Sequence, residues 1–128
     1  MKSPKLVYLA HPVRGYKFWQ AFAYLRALNE VARPRGWAVV CPWLPQVIAA
    51  SSDSDPELRE FWLAVDVRHV RLYDAFVAVG PELTAGMQIE MDAAYSADRP
   101  MRSFVRHSVE ESARLFADWL DSLEEGGW

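Results

Sequence analysis

Four short apolar runs, set apart by segments of helical period, constrain this chain more than any other feature. Leu6-Val7-Tyr8-Leu9-Ala10 is continuously apolar, as a strand is when both faces of its sheet are covered. Trp37 to Cys41 is a second such run, ended by Pro42, because proline cannot donate to a central ladder. Ala75 to Val79 is a third, opened by Asp74 and closed by Gly80-Pro81. Met101 to Arg106 is a fourth and weaker one.

The segments between these runs read as helices. From Lys17 to Arg33, Phe18, Phe22, Leu25, Asn29 and Ala32 share one side of a helical wheel, and Pro34 and Gly36 stop the helix. Asp55-Pro56 reads as an N-cap followed by a first-turn proline. Leu58, Phe61, Trp62, Val65, His69 and Leu72 then form a face. A third helix spans Ala85 to Ala97. Ser108 with Glu111 makes a capping box for a last one, lined by Val109, Ala113, Phe116, Leu120 and Leu123. Pro42 to Asp55 reads as a long loop, with a helical turn at Gln46 to Ala50.

Strands that alternate with helices imply a parallel sheet covered on both faces. The expectation is one α/β domain over residues 1–128. It should be a flavodoxin- or Rossmann-like three-layer sandwich with four to five parallel strands. Ligands in such folds sit beyond the carboxyl ends of the strands, where the strand order reverses. That singles out three loops: His11 to Lys17, Pro42 to Asp55, and Gly80 to Gly86.

Charge narrows the partners. Fourteen Lys and Arg against seventeen Asp and Glu give a net charge of −3. A nucleic-acid polymer binder needs a basic stripe, so that class is set aside. Cys41 is the only cysteine, which excludes an internal disulfide and a multi-cysteine metal site. His11, His69 and His107 lack metal-ligand spacing, so neither metal nor organic cofactor is expected. The first apolar run is too short for a signal peptide or a membrane span, and a cytoplasmic location is the corresponding expectation.

Chemistry concentrates at few positions. Glu90 lies between Met87, Ala93, Ala94 and Ala97 on the apolar side of its helix. A carboxylate there costs several kcal/mol unless it is paired or functional. Asp66 sits at the edge of an apolar face near Trp62, Val70 and Tyr73. Tyr8 is in the middle of the first strand, with a hydroxyl that needs a partner if buried. Arg14 and Gly15, after His11 at a strand end, suit an anion: arginine offers a donor fork and glycine a close backbone approach. Thr84, two residues before Gly86, can cap the next helix or meet an anion at its N-terminus. Trp43, in the long loop, could stack on a base.

Taken in order, Tyr8, Arg14-Gly15, Asp66 and Thr84-x-Gly86-x-x-x-Glu90 resemble the nucleoside 2-deoxyribosyltransferase-like superfamily. Within it, Tyr8 to Gly15 is most similar to the first-strand motif of the nucleoside 5′-monophosphate N-glycosidases. His11 and Pro12 stand where those hydrolases have small residues. The resemblance covers residues 5 to 105. It implies that Glu90 attacks the sugar C1′, that Asp66 assists the departing base, and that Tyr8 orients the glutamate. It also implies that Thr84 meets a 5′-phosphate together with Arg14 and Gly15; the transferases carry an acidic residue at the position of Thr84. The leading expectation is hydrolysis of the N-glycosidic bond of a nucleoside or deoxynucleoside 5′-monophosphate, with substrate held by His11, Arg14, Gly15, Trp43, Thr84 and Gly86. Base exchange by a deoxyribosyltransferase and a non-catalytic nucleotide-binding module are the alternatives. Exposed-looking aromatics such as Trp19 and Tyr24, and the shared sites of the family, imply a homo-oligomer, a dimer or a dimer of dimers.

Overall fold

A computed structural model describes residues 3–13, 16–49 and 56–126. The strands are β1 (Lys5–Ala10), β2 (Trp37–Val40), β3 (Ala75–Ala78) and β4 (Met101–Ser103). The helices are α1 (Phe18–Ala32), α2 (Leu44–Ala49), α3 (Pro56–Leu72), α4 (Ala85–Ser96) and α5 (Val109–Glu124). All four strands are parallel, in the order β2-β1-β3-β4. The chain moves outward from β1 to β2, then returns across β1 to β3. The order therefore reverses between the two central strands, which pair Val7 with Ala75 through Ala10 with Ala78.

Burial explains why β1 and β3 read as unbroken apolar runs. Val7 to Ala10 and Ala75 to Val79 are all essentially inaccessible. Helices α1 and α5 pack together on one face of the sheet, and α3 packs with α4 on the other. Local chemistry fixes the joints. Asp74 Oδ2 accepts the Leu6 amide at 2.8 Å, which ties the entry of β3 to β1. The Asn29 side chain donates to the Val39 carbonyl at 2.9 Å and accepts its amide at 2.8 Å, locking α1 onto β2. The capping box of Ser108 and Glu111 starts α5.

The inward faces differ in part from those expected, although Leu25 and Ala32 of α1 do pack on the core. On α1 the buried positions are Ala21, Leu28 and Ala32, while Phe18 and Phe22 point outward. The small alanines let α1 lie close to the sheet and α5, and that rotates the aromatic pair into solvent. On α3 only Val70 is fully buried, and Leu58, Phe61 and Leu72 are exposed, Leu72 by 76%. Val67 and Val70 pack on the core, while Trp62, Val65 and His69 of the expected face are half-buried. Three strands are shorter than expected, β2 ending one residue early at Val40. β3 stops at Ala78 and β4 at Ser103, although the ladder goes on beyond them: Phe104 N donates to Ala78 O, and Arg106 N to Gly80 O, both at 2.8 Å. The long loop after β2 opens with α2 at Leu44, two residues ahead of the expected turn. The N-cap reading of Asp55 falls outside the described residues. No helix among the described residues is long and apolar enough to cross a membrane.

Candidate active site

The α3–α4 face of the sheet carries a buried polar cluster. Tyr8 projects from the centre of β1 and is fully buried. Its ring stacks on Phe76, its register partner on β3, at 5.7 Å between centroids and 10° between planes. Tyr73, just beyond the end of α3, meets the same ring edge-on at 5.8 Å. With the ring held on two sides, the hydroxyl has a fixed direction, and it donates to Glu90 Oε2.

Glu90 reaches that hydroxyl from the second turn of α4. Its helix buries Met87, Glu90, Ala93 and Ala94 on one stripe, and only 7% of Glu90 is exposed. The stripe puts the carboxyl against the sheet, and the two alanines keep space beside it. Asp66 approaches from α3, half-buried, and its Oδ1 is enclosed without a hydrogen-bond partner.

Both carboxyls resist ionisation. Burial pushes Glu90 up to about 8, the Tyr8 hydroxyl pulls it back, and the Asp66 charge adds to the rise. Burial alone pushes Asp66 up to about 7. Burial and the two carboxylates also drive the Tyr8 hydroxyl and the Cys41 thiol far up, so both stay protonated. Near neutrality the two carboxyls together hold between one and two protons, and their titration belongs to the pair. Such a pair offers one anion and one acid in the same dry space, the set needed to displace a poor leaving group. Burial leaves Glu90 the weaker acid of the two, so the pair's proton rests mainly there; the form with Glu90 ionised and Asp66 protonated is the minor one, and the hydrogen bond from Tyr8 favours it.

The other expected site residues divide. Thr84 caps α4, its hydroxyl accepting the Met87 amide at 3.2 Å, nearly two turns before Glu90. Gly86 faces open space: a Cβ there would meet no atom within 4 Å. Trp43 is not an open stacking surface. It is buried, and its indole donates to the Leu9 carbonyl at 2.7 Å, which pins the start of α2 to β1. His11 is buried on the opposite face of the sheet from Glu90, against Tyr24 of α1. Arg14 and Gly15 lie outside the described residues. Cys41, read as buried and inert, is buried and its thiol lies 3.5 Å from the Leu9 carbonyl. Tyr73 was not singled out by its sequence position. Its only signal is that it precedes Asp74, the residue that anchors β3. Among the described residues no group of three or more His, Cys, Asp or Glu could hold a metal ion.

Comparison with known proteins agrees with this architecture. A family described as "Domain of unknown function (DUF7768)" matches residues 5–104. No curated protein matches the sequence. Among solved structures, a 2-deoxyribosyltransferase from the psychrotolerant bacterium Bacillus psychrosaccharolyticus superposes with a TM-score of 0.54 at 22% identity. The match covers 84% of this chain and 79% of that one. The shared property is the fold, an all-parallel four-stranded sheet flanked by helices in this chain.

Proposed function

This chain belongs to the DUF7768 family, and we propose that it is an enzyme that breaks the N-glycosidic bond of a nucleoside and passes the sugar to a second base. One observation carries the reading: the Tyr8 hydroxyl bonds to a buried Glu90 carboxyl beside a second carboxyl, Asp66, and burial raises both into the neutral range. The solved 2-deoxyribosyltransferase of the same fold supports transfer over hydrolysis.

The steps follow from the cluster. The ionised Glu90 attacks the anomeric carbon, forming a C–O bond as the C–N bond breaks. The bonding pair leaves on the base nitrogen, which takes the proton of Asp66. Tyr8 holds the attacking carboxylate in line while charge develops. In the second half an acceptor base attacks the same carbon, returns its N–H proton to Asp66, and frees Glu90. Two displacements retain the configuration at that carbon.

Water is the competing acceptor, and hydrolysis of a 5′-monophosphate is the second reading. Thr84 favours it. A hydroxyl at the N-terminus of α4, with open space over Gly86, suits a phosphate.

The test is a panel of deoxynucleosides and their 5′-monophosphates, each with and without an acceptor base, followed by chromatography. Wild type should give exchanged nucleoside with retained configuration, and Glu90→Gln should lose at least about a thousandfold. Free base from a monophosphate, with no exchange, would put the second reading first. Turnover that survives in Glu90→Gln would overturn both.

A further inference from the structure

The opposite face of the sheet has a cavity of its own. It holds about 500 Å³ and lies between α1 and the segment that leads into α5. Its walls include Trp19, Gln20 and Tyr24 from α1, Arg106 and His107 from beyond β4, and His11 from the end of β1. None of the residues lining it is acidic. The volume is that of ordinary small-molecule sites.

Two features set this cavity apart from a packing gap. The first is His11, which is only 3% exposed. Its Nδ1 lies 2.7 Å from the Pro12 carbonyl, and a carbonyl can only accept, so Nδ1 carries the hydrogen. Burial lowers the imidazole's affinity for a second proton. Nε2 is therefore a bare acceptor, and it has no partner. The second is Arg106, one of two described residues other than glycine with a positive φ, here 71°. Such conformations persist where the surroundings impose them. Here the Arg106 amide donates to the Gly80 carbonyl at 2.8 Å, which places the side chain at the cavity. Its guanidinium makes no ion pair among the described residues.

We propose that this cavity is a second ligand site, separate from the Tyr8–Glu90–Asp66 cluster, for a planar ring that carries a phosphate, the chemistry of a nucleoside monophosphate. Arg106 supplies the planar fork that phosphate takes. The half-free indole face of Trp19 supplies a stacking surface for the ring. His11 forms the inner wall of the cavity, its Nε2 an unpartnered acceptor enclosed beside Gly80. The inference stands on these residues alone and does not depend on the reading of Glu90.

The experiment follows the indole N–H signals of 15N-labelled full-length protein during titration with adenosine 5′-monophosphate. Trp19 reports on this cavity, and Trp43, bonded to Leu9, reports on the sheet end near α2. Wild type should show a saturable Trp19 shift, weaker by at least tenfold with adenosine and with inorganic phosphate. Arg106→Gly should weaken the nucleotide tenfold or more while the melting temperature holds or rises, since glycine suits a φ of 71°. Glu90→Gln should leave the Trp19 shift unchanged, whatever it does to turnover. An unmoved Trp19 signal, an Arg106→Gly protein that binds like wild type, or equal binding of adenosine or phosphate alone would each overturn the proposal.

Discussion

Replacing Glu90 with glutamine should stabilise the fold, and by an amount that depends on pH. In the folded chain burial holds the Glu90 carboxyl up at about 8, against an ordinary value of 4.5. A group raised in this way keeps more protons in the native state than in the unfolded one. Stability is therefore lost as the pH rises from the unfolded value through the folded one. At about 1.4 kcal/mol per unit, the full cost above pH 8 is about 5 kcal/mol, and at pH 5 it is below about 1 kcal/mol. Glutamine has nearly the same shape, still accepts from the Tyr8 hydroxyl, and never ionises. For a chain of 128 residues, 1 kcal/mol corresponds to about 4 °C in melting temperature. Glu90→Gln should then melt within about 3 °C of wild type at pH 5, and at least about 10 °C above it at pH 9. Thermal unfolding by circular dichroism at pH 5, 7 and 9 reads this directly. A difference that stays constant across that range would mean that Glu90 ionises freely in the fold. The argument for a strained, pre-organised nucleophile would then fail. The same variant should be inactive at every pH, and gain of stability with loss of turnover is the signature of a functional carboxylate.

Two further outcomes test the neighbours of Glu90 and the exposed helices. Tyr8→Phe removes the hydrogen bond that pulls the Glu90 value down, so the acid limb of the pH–rate profile should move to higher pH. Activity at pH 7 should fall about tenfold and partly recover at pH 8.5; an equal loss at all pH values would reduce Tyr8 to a packing residue. We also propose that the chain self-associates through exposed apolar side chains of α3 and α4, Phe61, Leu72 and Tyr95 among them. Light scattering at micromolar concentration should give at least a dimer for wild type and a lower mass for Leu72→Glu, and a wild-type monomer would refute this.

The parts of this molecule that were legible in the sequence are those fixed by local or one-dimensional signals. β1 and β3 were visible because central parallel strands, buried on both faces, allow no polar residue and so leave unbroken apolar runs. Helix α4 matched its expected span to one residue because Thr84 caps it and the chain turns at Ala97 and Asp98. Glu90 was legible for a related reason: a charged residue inside a periodic apolar stripe is an inconsistency between levels, and such inconsistencies gather at functional sites. The inward faces of α1 and α3 were not legible. A helical wheel ranks residues by hydrophobicity, whereas the packed face is chosen by how closely two backbones can approach. On α1 that choice fell to Ala21 and Leu28 over Phe18 and Phe22. Trp43 lies in the loop, as expected, but its burial was not legible. Its burial depends on a carbonyl, that of Leu9, thirty-four positions earlier in the chain. The cavity at His11 and Arg106 shows the same limit most clearly. Nothing local marks Arg106 as special. Its left-handed backbone arises only when the ladder from β4 reaches Gly80, and that pairing joins residues twenty-six positions apart. Residues that act through a distant backbone partner leave no periodic trace, so the second site had to be found in three dimensions, while the first announced itself as one acidic residue out of place.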